Sequence, residues 1–117
     1  MIGDKRRSEI ARIILSTREL RDKTFPQGMF NDHAWVIMLN LFVAQIDNRT
    51  LSKEKIITIS KIEPGSGARW LKYLIESGQV LDVQNGKDVV LSSKSVDRMR
   101  SLFDDINYIS NIGWNHE

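Results

Sequence analysis

Asn85 and Gly86 stand between two short apolar runs, residues 79–84 and 87–91. A tight two-residue hairpin turn needs positive φ at both central positions, and Asn and Gly adopt that conformation more readily than other residues. The pair is the strongest short-range signal in the chain, and it predicts a β-hairpin with one strand on each side. The rest of the fold has to be compatible with this hairpin.

The residues directly before the hairpin predict a helix over 64–77 with two different faces. Pro64 suits the first helical turn, where its missing N–H is no loss, and Gly78 suits the left-handed residue that closes a helix. Apolar side chains recur at the spacing of a buried stripe: Leu71, Leu74 and Ile75, with Trp70 beside them. Polar side chains fall on the other side: Ser66, Arg69, Lys72 or Tyr73, and Glu76. A short basic face near a helix start suits the DNA major groove when a scaffold presents it.

Two further helices are predicted in the first half of the chain. Residues 8–21 form an amphipathic helix whose apolar stripe consists of Ile10, Ile13, Ile14, Thr17 and Leu20. Pro26 restricts the residue before it to extended geometry, so this helix is an arm with a short connector after it. Asn31 or Asp32 then caps a second helix that runs to Ile46. Because that helix is apolar on most sides, we expect it at the centre of the domain, with Trp35 in the core.

The segment after Leu51 permits two interpretations. Ile56, Ile57, Ile59 and Ile62 are β-branched, which is compatible with a strand over 56–62. Ser52 is a good N-cap, although Lys55 occupies the position of the capping-box glutamate, and the cap and lysines favour a short third helix. Two helices joined by about three or four residues form a helix-turn-helix unit.

A last helix follows Ser92 and Ser93, which cap it. Its apolar stripe consists of Val96, Met99, Phe103, Ile106 and Ile109, and we expect it to end near Gly113 before a loose tail over 114–117. A chain of this size has little room to bury both terminal stripes. We therefore expect a homodimer through residues 8–21 and 95–110, with packing of the two stripes on each other as the alternative.

Composition limits the classes of protein to consider. The 117 residues are 41% hydrophobic and 27% charged, which fits one globular domain, and there is no cysteine to form a disulfide or a thiolate site. The apolar run 34–46 is too short for a membrane span and contains Asn40 and Gln45. The charged N-terminus does not resemble a signal peptide. We expect a cytoplasmic protein without a membrane partner.

The net charge is only +2, but the basic excess is unevenly distributed. Residues 1–23 carry seven Lys or Arg against four Asp or Glu, and residues 52–95 carry seven against five. Residues 96–117 carry two against four. The excess of base therefore lies on the first helix and in the block that contains the hairpin. A DNA-binding surface and an ordinary surface of mixed charge both account for this distribution.

The predicted order of elements is an arm helix, a central helix, a Leu51 bridge, two helices, a hairpin and a long terminal helix. This order resembles the MarR-type winged-helix transcriptional regulators over most of the chain, and best from Phe30 to Leu91. The resemblance is carried by three segments: Asp32-His33-Ala34-Trp35, Ala68-Arg69-Trp70-Leu71-Lys72-Tyr73-Leu74 and Gly78-Gln79-Val80.

What the resemblance implies is a mostly α fold with a small β-hairpin, in a single domain over 1–117. Residues 30–92 would form the winged helix-turn-helix, flanked by N- and C-terminal dimerisation helices in 1–24 and 93–117. The implied function is sequence-specific double-stranded DNA binding as a homodimeric regulator. In that family the helix matching 64–77 enters the major groove and the hairpin matching 79–91 touches the backbone or minor groove. This hairpin is shorter than is usual there, and the resemblance specifies no small-molecule effector.

The candidate DNA-binding residues are Ser66, Gly67, Arg69, Lys72, Tyr73, Lys53 and Lys87. Arg69 is a candidate for bidentate contact with guanine, and the alternative is a surface arginine that stacks on Tyr73 or pairs with Glu76. Ser66, with the amides near Gly65 and Gly67, is a candidate phosphate site, and the alternative is simple capping. Lys72 and Tyr73 are candidate backbone contacts. Lys53 and Lys55 either touch phosphate or only solvate a helix.

Nothing in the sequence predicts catalysis, a metal or a cofactor. His33 and His116 have no cysteine partners and no recognisable carboxylate spacing. Asp104 and Asp105 read as a helix-surface pair, and Gly65-Ser66-Gly67 is only half of any phosphate-loop motif. We expect the protein not to be an enzyme. The alternative to DNA binding is a winged-helix module for protein interaction, an adaptor or antagonist.

Overall fold

A computed structural model describes residues 2–26 and 28–115, with side chains described as far as residue 111. These residues form five helices and three short strands. The elements are α1 Asp4–Thr24, α2 His33–Ile46, β1 Leu51–Ser52, α3 Lys53–Ile59, α4 Pro64–Glu76, β2 Val80–Val83, β3 Asp88–Leu91 and α5 Ser93–Asn115. The fold is mostly helical with a small antiparallel sheet, as the sequence predicts.

The predicted hairpin is present, with a slightly longer loop. β2 and β3 pair antiparallel with Val83 opposite Asp88, and Asn85 and Gly86 have φ values of 58° and 82°. The Lys87 amide donates to the Gln84 carbonyl at 3.2 Å, which closes the turn. Gln84 itself has a φ of 55°, and the loop is one residue longer on each side than predicted: β2 ends at Val83 and β3 begins at Asp88.

A third strand joins the hairpin. Leu51 pairs with Val89 and Ser52 with Asp88, so the sheet order is β1-β3-β2. β1 has only two residues, which is why the sequence indicates no more than a bridge at Leu51. The pairing connects the chain before α3 to the far side of the hairpin, and it fixes the start of α3 against β3.

The core is built around α2, as predicted from its apolar residues. Phe42 is fully buried and contacts Phe103 of α5, with ring centroids 4.9 Å apart in an edge-to-face arrangement. Ile37 and Leu39 are also fully buried, whereas Trp35 is half-buried and packs at the edge of the core. α2 contacts α1, α3, α4 and β3, so it joins all parts of the fold.

The segment after β1 is a helix and not a strand. The Ser52 hydroxyl accepts a hydrogen bond from the Lys55 amide at 3.0 Å, which is the predicted N-cap. Lys61 has a φ of 57° and lies in the short connection to α4, where a left-handed residue ends the preceding helix. The Ser52 cap thus favours a helix, although the β-branched residues that follow it favour a strand.

α1 is longer than predicted, and only part of the predicted apolar stripe is buried. It begins at Asp4 because Asp4 and Arg7 pair with residues of α5, a contact that local sequence does not reveal. The buried face contains Arg7, Ser8, Ile10 and Ala11. Of the predicted stripe, Ile10 is buried and Ile14 is half-buried against the core. The other three members are not covered: Thr17 is exposed, and Ile13 and Leu20 are 54% and 64% exposed.

The helix α1 is attached to α5 by two arginine–aspartate pairs. Arg7 donates to both carboxylate oxygens of Asp104 at 2.8 and 3.1 Å, and Arg100 donates to both oxygens of Asp4 at 3.0 and 2.8 Å. Arg7 also donates to Asp4 at 2.9 Å, so the four residues form one network. Bidentate pairs of this kind are the stronger class of ion pair. This network and Ile10 pack the start of α1 on the same chain, which is the alternative left open for the terminal stripes.

The C-terminal helix extends further than predicted. α5 runs to Asn115, past Gly113, and residues 116–117, including His116, lie outside the described residues. Val96, Met99 and Phe103 are buried and Ile106 is half-buried, as the predicted stripe requires. The end of the stripe is not covered, since Ile109 is 66% exposed.

Asp32 lies at the predicted N-cap of α2, but its side chain has another role. Its carboxylate makes no capping bond and accepts instead from Arg18 Nε at 2.7 Å and Arg21 Nη1 at 3.3 Å. Burial raises the pKa of Asp32, but the bonds from the two arginines outweigh it and the net shift is downward. The Arg21 guanidinium also lies over the Phe30 ring at 4.2 Å. These contacts hold the connector between α1 and α2 in place.

The α1–α5 network predicts a loss of stability in acid. The hydrogen bonds from Arg7 and Arg100 lower the pKa of Asp104 and Asp4 below the ordinary value of 3.8. A carboxyl with a lowered folded pKa contributes stability above its unfolded pKa, and that contribution is lost as the pH falls through the folded pKa. The free energy of unfolding, measured by urea titration, should therefore hold above about pH 5 and fall below about pH 4.

Matched variants separate the contribution of this network to the pH dependence of stability from the contribution of the other carboxyls. The double variant Asp4→Asn, Asp104→Asn should be less stable at pH 7 and should have a flatter profile between pH 5 and 3. Asp105→Asn removes an exposed carboxyl next to the network and should keep the wild-type profile. A double variant whose profile runs parallel to that of the wild type would contradict the assignment.

Candidate nucleic-acid interface

The first turn of α4 is capped by Glu63, a residue that the sequence analysis does not single out. Its carboxylate accepts hydrogen bonds from the Gly65 and Ser66 amides, both at 2.9 Å. These two bonds hold the pKa of the Glu63 carboxyl below its ordinary value, so the group carries a negative charge at neutral pH. Pro64 follows as the first helical residue, as predicted.

This cap distinguishes between the two interpretations of Ser66. A phosphate at the start of α4 would need the amides that the Glu63 carboxylate already occupies, and it would be repelled by that carboxylate. The amides of Gly65 and Ser66 therefore serve to cap the helix. The Ser66 hydroxyl has a different partner, since it accepts a hydrogen bond from Arg69 Nη2 at 3.2 Å.

Gly67 lies on the buried face of α4, where it packs against α3. A Cβ placed on Gly67 would lie 2.5 Å from Cγ2 and 3.0 Å from Cγ1 of Ile57 on α3. Together with the buried side chains of Leu71 and Leu74, this contact determines which side of α4 faces the core. Gly67 is thus a packing residue of the α3–α4 unit.

The opposite side of α4 carries Arg69, Lys72 and Tyr73, which we call the outward face. All three side chains are exposed, and Tyr73 is 59% exposed. The Lys72 side chain has an Nζ–Oε1 distance of 3.8 Å to Glu76, one turn further along the helix. Arg69 has no ion-pair partner among the described residues, and its hydrogen bond to Ser66 directs it toward the start of the helix. The three residues are available to a partner molecule.

Trp70 belongs both to the core and to the edge of the outward face. It packs against the core and remains half-buried, so the prediction of a core residue is correct only in part. Its ring meets Tyr73 edge to face, with centroids 5.8 Å apart and an interplanar angle of 85°. Arg69, Trp70 and Tyr73 line an open cleft of about 560 Å³, which we call the aromatic cleft.

Lys53 and Lys87 are brought together where α3 meets the hairpin. The Lys53 amide donates to the Lys87 carbonyl at 3.1 Å, which places the start of α3 beside the turn. Lys53 Nζ lies 3.1 Å from Asp82 Oδ1 on β2, whereas the Lys87 side chain is exposed. The predicted site residues therefore fall into three groups: the outward face with Ser66, this lysine pair, and the buried Gly67.

A second concave surface, the apolar groove, lies between α3, α4 and β2. It has a volume of about 730 Å³. Its floor is apolar and its rim is charged; the lining residues are Lys53, Glu54, Ile57, Thr58, Pro64, Ala68, Leu71, Lys72, Ile75, Glu76 and Asp82. The sequence analysis missed this groove, although Ala68 and Ile75 fall on one side of the predicted helix next to Lys72.

Acidic groups accompany the basic residues of this region. Lys72 is near Glu76, Lys53 is paired with Asp82, and the positive charge of Arg69 contributes to the lowered pKa of Glu63. The region is therefore a surface of alternating charge and not a uniformly positive one. Such a surface attracts a polyanion weakly from a distance and selects it by the positions of individual groups.

Within the described part of the chain, no group of three or more His, Cys, Asp or Glu side chains has a spacing that would hold a metal ion. No helix in that part is long and apolar enough to cross a membrane.

Comparison with known proteins finds no match to this chain among family models, curated proteins or solved structures. The resemblance to MarR-type regulators therefore stays a prediction, and so does the cytoplasmic location.

The contact at Gly67 predicts the effect of one added methyl group. In Gly67→Ala the gain in helix propensity is about 1 kcal/mol. The overlap with Ile57 costs about 1–3 kcal/mol because a β-branched side chain cannot move aside easily. We expect a net loss of about 1 kcal/mol in the free energy of unfolding, measured by urea titration.

A double-mutant cycle tests the cause of this loss. Ile57→Ala removes both Ile57 atoms that lie closest to the added Cβ. In that background Gly67→Ala should be neutral or stabilising, because the contact that remains is with the Cβ of residue 57 at 3.3 Å, which a shift of a few tenths of an ångström relieves, and the gain in helix propensity then dominates. Equal destabilisation by Gly67→Ala in both backgrounds would refute the steric explanation.

Proposed function

We propose that this protein binds double-stranded DNA in a sequence-specific manner and acts as a dimeric transcriptional regulator. The observation that carries the proposal is the orientation of α4. Its apolar side is buried against α3, while Arg69, Lys72 and Tyr73 are held outward by a compact helical body. In helix-turn-helix proteins, a helix presented in this way reads base edges in the major groove, which supports the proposal.

In this proposal α3 and α4 form the helix-turn-helix, and the β2–β3 hairpin is the wing. α4 has 13 residues, about 20 Å at 1.5 Å per residue, which is long enough to follow the major groove over several base pairs. Arg69 is the residue suited to a bidentate contact with guanine O6 and N7. Lys72 has a long exposed side chain suited to phosphate contact. The exposed Lys87 beside the hairpin turn is suited to contact with the adjacent DNA backbone.

The charges near α4 determine how such binding responds to salt. With Lys53, Lys72 and Lys87 as phosphate contacts in each copy, a dimer would neutralise about six phosphates. The slope of log K against log salt would then be about −5. Because Asp82 and Glu76 compete for two of these lysines, a shallower slope is compatible with the proposal and a slope of zero is not.

Removal of the Arg69 side chain tests base reading. Arg69→Ala should weaken binding to a duplex selected from random sequences by about 1–3 kcal/mol, roughly 5- to 150-fold, and relax the preference at one base position per half-site. Fluorescence anisotropy titration with the selected duplex and its single-base variants measures both effects.

Arg49→Ala is the matched control. It removes the same side chain and charge from the connection between α2 and β1, where Arg49 lies 3.4 Å from Asp47. It should leave the base preference unchanged and alter affinity only slightly. Equal affinity for all duplexes, both in the wild type and in Arg69→Ala, would reject sequence-specific reading.

The proposed dimer rests on the apolar side chains that one chain leaves uncovered. Ile13 and Leu20 of α1 and Leu102, Tyr108 and Ile109 of α5 are 39–66% exposed. All five lie within the segments 8–21 and 95–110. Large exposed apolar residues grouped on two helices are typical of a protein–protein interface. A two-fold dimer would also present two copies of α4 to a palindromic site.

Sedimentation velocity tests the dimer. The wild type at micromolar concentration should sediment with twice the 13.5 kDa mass of the chain. Ile109→Glu should shift the protein to monomers because it buries an unpaired charge in the interface. Met29→Glu, the same change at a 61% exposed side chain in the connector, should remain dimeric. A monomeric wild type would remove the half-site arrangement from the proposal.

A second function, a protein-interaction module without DNA binding, is favoured by the apolar groove. Its floor of Ile57, Ala68 and Ile75 offers apolar area beside Lys72, and Arg69, Trp70 and Tyr73 are of the residue types that dominate binding energy at protein interfaces. Low salt distinguishes the two functions, because phosphate-driven binding strengthens steeply as salt is removed. No affinity for any duplex at low salt would favour the interaction module.

A further inference from the structure

The aromatic cleft combines two kinds of recognition group within one helical turn. Arg69 and Tyr73 are four residues apart, and Trp70 and Tyr73 are three apart, so all three side chains lie on adjoining positions of α4. The guanidinium offers hydrogen-bond donors, whereas the edge-to-face pair of rings offers an apolar surface. Trp70 is anchored in the core, which gives the exposed Tyr73 ring a fixed support.

The Arg69 side chain is also oriented before any partner binds. Its Nη2 donates to the Ser66 hydroxyl at 3.2 Å, and Nη1 lies 3.7 Å from the position that a Cβ on Gly65 would take. The donors therefore point along the helix toward its first turn, beside the rings and not over them. A ligand that fits the cleft has acceptors for the guanidinium and, next to them, an apolar group for the rings.

DNA presents this combination in the major groove. Guanine offers the O6 and N7 acceptors that arginine contacts, and thymine offers a C5-methyl group that makes apolar contacts. Neighbouring base pairs are about 3.4 Å apart along the duplex, and one turn of α-helix rises about 5.4 Å. One turn of α4 therefore spans about one and a half base-pair steps, so side chains within one turn are close enough to contact neighbouring base pairs.

We propose that Arg69, Trp70 and Tyr73 form one reading unit for a C5-methylated pyrimidine next to a guanine. The inference rests on the proposed DNA binding and specifies part of the half-site. The methyl group contacts the rings of Tyr73 and Trp70, and the guanine accepts hydrogen bonds from Arg69. Thymine and 5-methylcytosine carry the same methyl group, so either base satisfies the unit.

The test compares duplexes that differ only in this methyl group. Binding-site selection first supplies a bound duplex, in which each thymine next to a guanine is then replaced by uracil. At one such position per half-site, loss of the methyl should weaken binding about fourfold, as expected for one buried CH₂ unit. A second pair of duplexes has 5-methylcytosine or cytosine at that position, paired with guanine. Preference for 5-methylcytosine over cytosine, beside preference for thymine over uracil, is the expected result. Preference for thymine over uracil alone would overturn the statement that either base satisfies the unit.

Variants of the aromatic cleft test whether its residues cause the preference for the methylated base. Tyr73→Ala should bind the thymine and uracil duplexes equally, and Tyr73→Phe should retain the preference because the ring is kept. Lys72→Ala, the control on the same face, should weaken binding to both duplexes by the same factor. Tyr73 is largely exposed, so these variants should fold, and thermal unfolding followed by circular dichroism verifies that they do.

The outcomes separate this inference from the proposed function. If duplex binding is sequence-specific but no uracil replacement next to guanine weakens it, the reading unit is refuted and DNA binding stands. A methyl preference that persists in Tyr73→Ala also refutes the unit. If no duplex is bound at low salt, the proposed function fails and the reading unit fails with it.

Discussion

The close approach of α3 and α4 at Gly67 is the contact on which the functional surface depends. With no side chain at this position, Ile57 can occupy the space beside the α4 backbone. Gly67, Leu71 and Leu74 then form the buried side of α4, and the helical period places Arg69 and Tyr73 on the other side. A larger residue at position 67 would separate or rotate the two helices. The direction in which the outward face points is thus a consequence of packing and not of its polar residues.

The charges around α4 would give only weak long-range electrostatic attraction for a nucleic acid. A net charge of +2 and the acidic neighbours Glu63, Glu76 and Asp82 give a weak field, so a nucleic acid would gain little from nonspecific contact. The Glu63 carboxylate also occupies the amides at the start of α4, where phosphates commonly bind. Under the proposed function, the lysines contribute phosphate contacts, and the preference for one sequence then has to come from contacts made further along the helix, at Arg69 and Tyr73. Weak nonspecific binding with a few directional contacts favours discrimination between sequences.

Features set by local chemistry were predictable from the sequence. The Asn85-Gly86 turn, the Ser52 cap and Pro64 at the start of α4 each depend on residues close together in the chain, and all three are present. The Glu63 cap also depends on local sequence alone, since an acidic residue directly before a helix-starting proline is a favourable N-cap.

Features set by contacts between distant residues were not predictable in this way. The first turn of α1 is held by contacts with α5: Arg7 donates to Asp104, and Arg100 donates to Asp4. Asp32 does not cap α2 because its carboxylate accepts a hydrogen bond from Arg18, which lies 14 residues earlier in the chain. In the candidate site the same division applies. Periodicity placed Arg69 and Lys72 on the exposed side, whereas the packing role of Gly67, the half-buried Trp70 and the apolar groove depend on how α3 and β2 meet α4.

The terminal helices are attached to the rest of the domain by one face and leave another uncovered. The network of Arg7, Asp104, Asp4 and Arg100 fixes the start of α1 on α5, and α2 packs against both α1 and α4. The exposed apolar side chains of α1 and α5 therefore sit on the same packed body as the outward face. In a dimer formed through those side chains, the distance between the two copies of α4 would be set by a rigid body and not by a flexible linker. A fixed distance requires half-sites at one spacing, so the ion-pair network would contribute to DNA selection without contacting DNA.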